Sequence, residues 1–175
     1  MPAAQALSVA AMLASLSLAA ATATAAPRAW DKSANIVVSA ERLAAMQRGK
    51  GAIATYEFIL NCYKTHRLAE AFSEPLEGCI VQDYLNSKVT AAVYDRVDAE
   101  TRKRLGAPSP EQLMKVMSAR IIDACRQYGI GEEQIRAFLQ KVDAEGLPRY
   151  LAKRFPGAGG QPGADKPPDA AAPPR

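Results

Sequence analysis

Between Tyr56 and Leu85 two apolar patterns of helical period meet at a proline-marked turn, with one cysteine on either side of it. Ile53, Tyr56, Ile59, Leu60 and Tyr63 recur at three- and four-residue spacing, which predicts one buried stripe on a helix starting near Ala52. The pattern weakens after Lys64 and continues loosely to Phe72, and Ser73-Glu74-Pro75 turns the chain. From Glu77 onward, Val81, Leu85, Val89, Val93 and Val97 repeat every four residues, with Ile80 and Tyr84 widening the stripe. Cys62 lies near the end of the first pattern and Cys79 near the start of the second. In an antiparallel hairpin the two face each other, and bridging them closes a loop of roughly 17 residues, worth on the order of 3 kcal/mol by the chain-entropy model. Cys125 falls in a later apolar stripe and reads as a buried free thiol. Spacing alone leaves open a bridge from Cys125 to either of the others, or none.

A disulfide matters only where thiols oxidise, and the start of the chain bears on that. Leu7 to Ala21 is an uncharged run of Ala, Leu, Val and Met, followed by the small-x-small pattern Ala23-Thr24-Ala25. This reads as a signal peptide over residues 1–25, since the run is too short and alanine-rich for a spanning helix. No Lys or Arg precedes the run, a departure from the usual basic n-region that a start placed too far downstream or a neutral n-region would explain. No cysteine stands at the cleavage point to take a lipid.

The rest divides by pattern. Residues 26–38 read as an extended lead-in. Ser39 then caps a short helix from Ala40 to about Arg48, with Val38 stapled onto Leu43, and Gly49 and Gly51 end it. Asp98 marks a restart, and Gly106-Ala107-Pro108 a stop. Ser109-Pro110-Glu111-Gln112 is the clearest local signature: N-cap serine, proline at the first helical position and glutamine at the third. That helix carries Leu113, Met117, Ile121, Ala124, Cys125 and Tyr128 inward and stops at Gly129. A fifth, with Ile135, Phe138, Leu139 and Val142, is broken by Gly146-Leu147-Pro148 before a last turn or two bearing Tyr150, Leu151 and Phe155. Residues 156–175 are rich in Pro, Gly and Ala without apolar period and read as a disordered tail. The fold class expected is all-α, a compact bundle of about five helices over residues 39–155. An alanine-rich composition with only 6% aromatic residues agrees.

Signals of chemistry are sparse. The chain has one histidine and no Cys-x-x-Cys, and its Gly157-Ala158-Gly159-Gly160 run opens no helix. A Ser-His-Asp triad, thiol exchange, c-type haem attachment and a phosphate loop therefore lack sequence support. A zinc-binding module would draw on Cys62, His66, Cys79 and Asp83, four ligands at i, i+4 spacing on neighbouring helices that suit tetrahedral zinc, but oxidation of the thiols removes the set. A hydrolase would draw on carboxylates among Glu57, Glu70, Glu74 and Asp83. Arg149, Tyr150, Lys153 and Arg154 belong to a basic, amphipathic end that reads in two ways: its apolar residues lock the last helix onto the bundle, as surface helices of globular proteins do, or it meets an envelope protein, a cell-wall polymer or a lipid surface. The run Thr101-Arg102-Lys103-Arg104 complements a helix C-terminus. A net charge of +4, from 22 basic and 18 acidic residues, is too mild to predict nucleic-acid binding. The expectation is an exported, periplasmic or secreted, non-enzymatic binding or structural module with no cofactor and no membrane span after cleavage.

Overall fold

The computed structural model describes residues 30–157, and every regular element among them is helical. The elements are α1 (Ser33–His66), α2 (Glu74–Asp95), α3 (Ala99–Arg104), α4 (Pro110–Arg126) and α5 (Glu132–Lys141); a π-helical turn (Val142–Gly146) then leads into α6 (Leu147–Arg154). The signal peptide read over 1–25 and the tail from residue 158 lie outside the described residues.

Helix α1 consists of two arms. At Gly51 the backbone leaves helical geometry, with φ 79° and ψ −178°, a left-handed φ that glycine alone adopts without strain. The break reverses the chain. In an unbroken helix Ser39 and Cys62 would stand about 35 Å apart, yet Ser39 packs on Gly78 and Cys62 is bonded to Cys79. The first arm runs parallel to α2, since Ser39 meets Gly78 and Gln47 bonds Asn86 at 2.8 Å. The second arm runs antiparallel to it. Thr55 Oγ1 donates to the Gly51 carbonyl at 2.7 Å and so satisfies a backbone group at the break.

The start of α1 differs from the extended lead-in read from sequence. Residues 33–38 are helical, Ser39 is buried inside the helix, and Val38 is 54% exposed, so neither the Ser39 cap nor the Val38 staple forms. The cause lies some forty residues away. Lys32 at the N-cap offers no side-chain bond, and the Glu77 carboxylate of α2 accepts instead from the backbone N–H groups of Asp31 and Lys32 and from Asn35 Nδ2. A buried negative charge at a helix N-terminus is favoured by the helix dipole. Ile36, Ala40, Leu43 and Ala44 then fall on one buried face.

Helix α2 is the axis of the bundle. Ser73 caps it through the Leu76 N–H, Pro75 occupies its first turn, and Leu76 to Leu85 are buried without a gap. Such all-round burial requires neighbours on every side, and both arms of α1, α4 and the π turn supply them. The four-residue valine row does not stay inside throughout: Val81 and Leu85 are buried, Val89 partly, and Val93 is 55% exposed. Beyond it, Asp98 caps α3 through the Thr101 N–H, and Arg102 donates to the carbonyls of Tyr94 and Val97 at the end of α2. The Ser109–Gln112 capping box opens α4 with both reciprocal bonds in place, at 3.1 and 2.9 Å.

Gly146-Leu147-Pro148 does not break the chain as expected. One π turn widens the helix, so that Pro148 sits in the first turn of α6, where its missing N–H needs no partner. Gly146 is needed there for a different reason: a Cβ at this position would lie 3.1 Å from Ile36 Cγ2. Trp30 closes the end of the bundle against Phe72 and Phe138, with ring centroids at 5.4 and 4.4 Å.

Candidate functional site

The Cys62–Cys79 disulfide, with Cα atoms 5.7 Å apart, ties the end of arm two to the first turns of α2. Cys125 is free and buried, and burial pushes its thiol up to about 12, which leaves it without nucleophilic character at neutral pH. The four residues weighed as metal ligands do not form a set. Two sulfurs are bonded to each other, and Asp83 faces Arg120 with both oxygens while His66 lines a cleft on the other side of arm two. No group of three or more His, Cys, Asp or Glu side chains placed to hold a metal occurs among the described residues.

The carboxylates weighed for a hydrolase are scattered. Glu57 lines a groove between arm two and α4, Glu70 is exposed in the turn, Glu74 pairs with Lys32, and Asp83 is buried. The basic end of the chain also divides. Arg149 and Lys153 are exposed, but Tyr150 is only 1% exposed and its hydroxyl donates to Gln47 Oε1 of arm one. Tyr150 therefore anchors α6 onto the bundle, the packing role read beside the binding one for this end, and its ring is not open to a ligand. Arg154 is half-buried, with its guanidinium 5.1 Å from the Phe155 ring centroid.

The surface that stands out was read from sequence as core. Of the stripe expected to be buried, only Ile59 and Tyr63 are; they share their face with Thr55 and pack towards α2. Ile53 is 79% exposed, and Tyr56 and Leu60 about half as much. With Thr55 the stripe splits into two rows, 55/59/63 inward and 53/56/60 outward. The sequence carried the distinction in Thr55, a small polar residue that completes the inner row and counts for nothing in an apolar tally.

The outward row forms one wall of a trough. Arm two and α4 both pack on α2, and the space left between them is a groove of about 800 Å³. Ile53, Tyr56 and Leu60 line one side, Leu113 and Val116 the other, and Thr90 and Tyr94 of α2 the floor. Val116 is 53% exposed. Glu57 is the one acidic residue in the lining and Arg120 the one basic residue.

Arg120 borders the groove at one end. Its Nε and Nη2 donate to Asp83 Oδ2 and Oδ1 at 3.0 and 2.7 Å, and its guanidinium carbon lies 5.7 Å from the Tyr56 ring centroid. Burial acts to lower the guanidinium, and the bonds and charge of Asp83 outweigh it, so Arg120 stays protonated above its ordinary value. Asp83 is wholly buried and also accepts from Ser87 Oγ at 3.4 Å. The nearby Tyr63 hydroxyl is buried beside Asp83, and burial, reinforced by the Asp83 charge, holds it well above its ordinary value. The Asp83–Arg120 pair fixes the guanidinium at the groove's edge.

No family model matches the chain, and no curated protein or solved structure matches it. Among the described residues no helix is long and apolar enough to cross a membrane.

Proposed function

We propose that the protein is an exported, non-enzymatic helical module of the cell envelope that binds its ligand in the groove between arm two of α1 and α4. The observation that carries this is the outward row Ile53, Tyr56 and Leu60 facing Val116 across about 800 Å³ of open space. Large apolar side chains held in contiguous exposure mark a surface with an occupant, and the volume falls in the range of small-molecule sites. Export is supported by the leader pattern over residues 1–25, and the Cys62–Cys79 disulfide is compatible with it. A non-enzymatic role is supported by the scatter of the carboxylates and by the structural engagement of Asp83 with Arg120.

Two experiments test the reading. Fractionation of cells expressing the full chain, with the mass of the released protein, is expected to find it outside the cytoplasm and shortened at its N-terminus. Full-length cytoplasmic protein would contradict export. The uncharged dye N-phenylnaphthylamine is expected to brighten on binding the purified protein, and Val116→Asp to remove that signal with the helical spectrum intact. A dye signal unchanged by Val116→Asp would place the binding surface elsewhere.

A further inference from the structure

The trough does not end at Leu60. A second cleft of about 360 Å³ opens there, lined by Leu60, Tyr63, Lys64, Arg67, Leu68 and Arg120, and it shares Leu60 and Arg120 with the groove. No carboxylate lines this cleft. Lys64 is exposed, and Arg67 meets Asp123 at 3.0 Å in a half-exposed pair that water largely screens. The charge on this surface is thus segregated along its length: an apolar stretch with Glu57 at its side, then Lys64 with no ion-pair partner among the described residues, beside Arg67 paired with Asp123 and Arg120 paired with Asp83.

The geometry points to an acyl chain ending in an anionic head group as the ligand, its hydrocarbon along Ile53, Tyr56, Leu60 and Val116 and its head against Lys64, Arg67 and the Arg120 edge. Three arguments favour this occupant. A partner helix would be matched by charges spaced along both rims, whereas here the cations cluster at one end. The run from Ala52 to Lys64 spans about 18 Å at the helical rise. One leaflet of a bilayer, half of its roughly 30 Å hydrocarbon core, sets the length of an acyl chain at about 15 Å. A carboxylate and a phosphate head share this chemistry, and the cleft offers charged donors to either. The inference rests on the groove being the binding surface proposed above.

Calorimetry with probes below their micellar concentrations tests it. Dodecanoate and dodecyl phosphate are expected to bind with one molecule per chain, and dodecyltrimethylammonium, with the same chain and a cationic head, on the order of tenfold more weakly. Whichever of the two anions binds tighter identifies the head. Lys64→Glu, an exposed site whose change leaves the fold alone, is expected to weaken dodecanoate by a similar factor. It should leave N-phenylnaphthylamine binding unchanged, and Val116→Asp should remove both. Equal binding of the cationic and anionic probes, or dodecanoate affinity indifferent to Lys64→Glu, would overturn the anionic ligand while leaving the groove standing if the dye still binds there. Failure of both dye and dodecanoate would remove the groove reading as well.

Discussion

Gly78 and Gly49 offer a controlled comparison of what a helical glycine is worth in two settings. Both lie inside helices, so replacing either by alanine gains the same intrinsic term, about 0.8–1.0 kcal/mol. At Gly49 an added Cβ meets nothing within 4 Å, and the gain stands unopposed. At Gly78 the Cβ would sit 2.8 Å from Ser39 Oγ, on the seam where arm one lies along α2. Ser39 is buried, and its Oγ lies 3.5 Å from Asn35 Oδ1, so it has little room to move. Overpacking of that kind costs roughly 1–3 kcal/mol. Gly49→Ala is therefore expected to stabilise by about 0.5–1 kcal/mol, and Gly78→Ala to destabilise by up to about 2 kcal/mol. Urea unfolding of the disulfide-intact protein at neutral pH reads both changes as shifts of midpoint at constant slope. Adding Ser39→Ala to Gly78→Ala removes the colliding oxygen and should recover much of the loss, a non-additivity expected of residues in contact. Gly78→Ala more stable than the parent would refute the close seam, and with it the folded-back path of α1.

Other consequences follow from the same contacts. Arg120→Met leaves the Asp83 carboxylate buried without its cation and is expected to cost about 3–5 kcal/mol, whereas Asp83→Asn with Arg120→Met should cost much less; equal losses in denaturant melts would contradict the pairing. Burial raises the Glu77 carboxyl even against its hydrogen bonds from Asn35, Asp31 and Lys32. The folded form thus holds its proton to higher pH than the unfolded chain, and this group's contribution falls as pH rises from the ordinary carboxylate value through the raised one. The Tm of the parent relative to Glu77→Gln should accordingly be higher at the acid end of that window than at neutral pH, and a difference growing with pH would contradict the assignment. Replacing Cys62 and Cys79 by serine is expected to remove on the order of 3 kcal/mol. Iodoacetamide at neutral pH should label no thiol in the native protein and one, Cys125, after unfolding without reductant.

Where local chemistry decides the backbone, the chain was legible. The capping box at Ser109, the Asp98 cap, the turn at Ser73-Glu74-Pro75 and the break at Gly51 each depend on residues within a few positions of one another. Where a distant partner decides, it was not. The helix begins at Ser33 because Glu77, on another element, supplies the charge at its N-terminus, and nothing near Ser33 announces this. The π turn lets α5 run into α6 across Pro148, and the glycine it uses is set by the proximity of Ile36. The candidate groove was missed for a related reason. Ile53, Tyr56 and Leu60 satisfy a helical period as well as Ile59 and Tyr63 do, and periodicity does not say which of two adjacent rows the bundle covers. The covering was decided by α4, which packs on α2 and leaves arm two's outer face open.

Amide chemical-shift mapping during titration with dodecanoate tests the central claim most directly. The account predicts shifts confined to a line running from Ile53 through Tyr56 and Leu60 to Lys64, with Val116 opposite. Exposed apolar residues away from the trough, Val38 and Leu151, should stay silent. Shifts centred on Arg149 and Lys153 of α6, or none along the outer face of arm two, would contradict it.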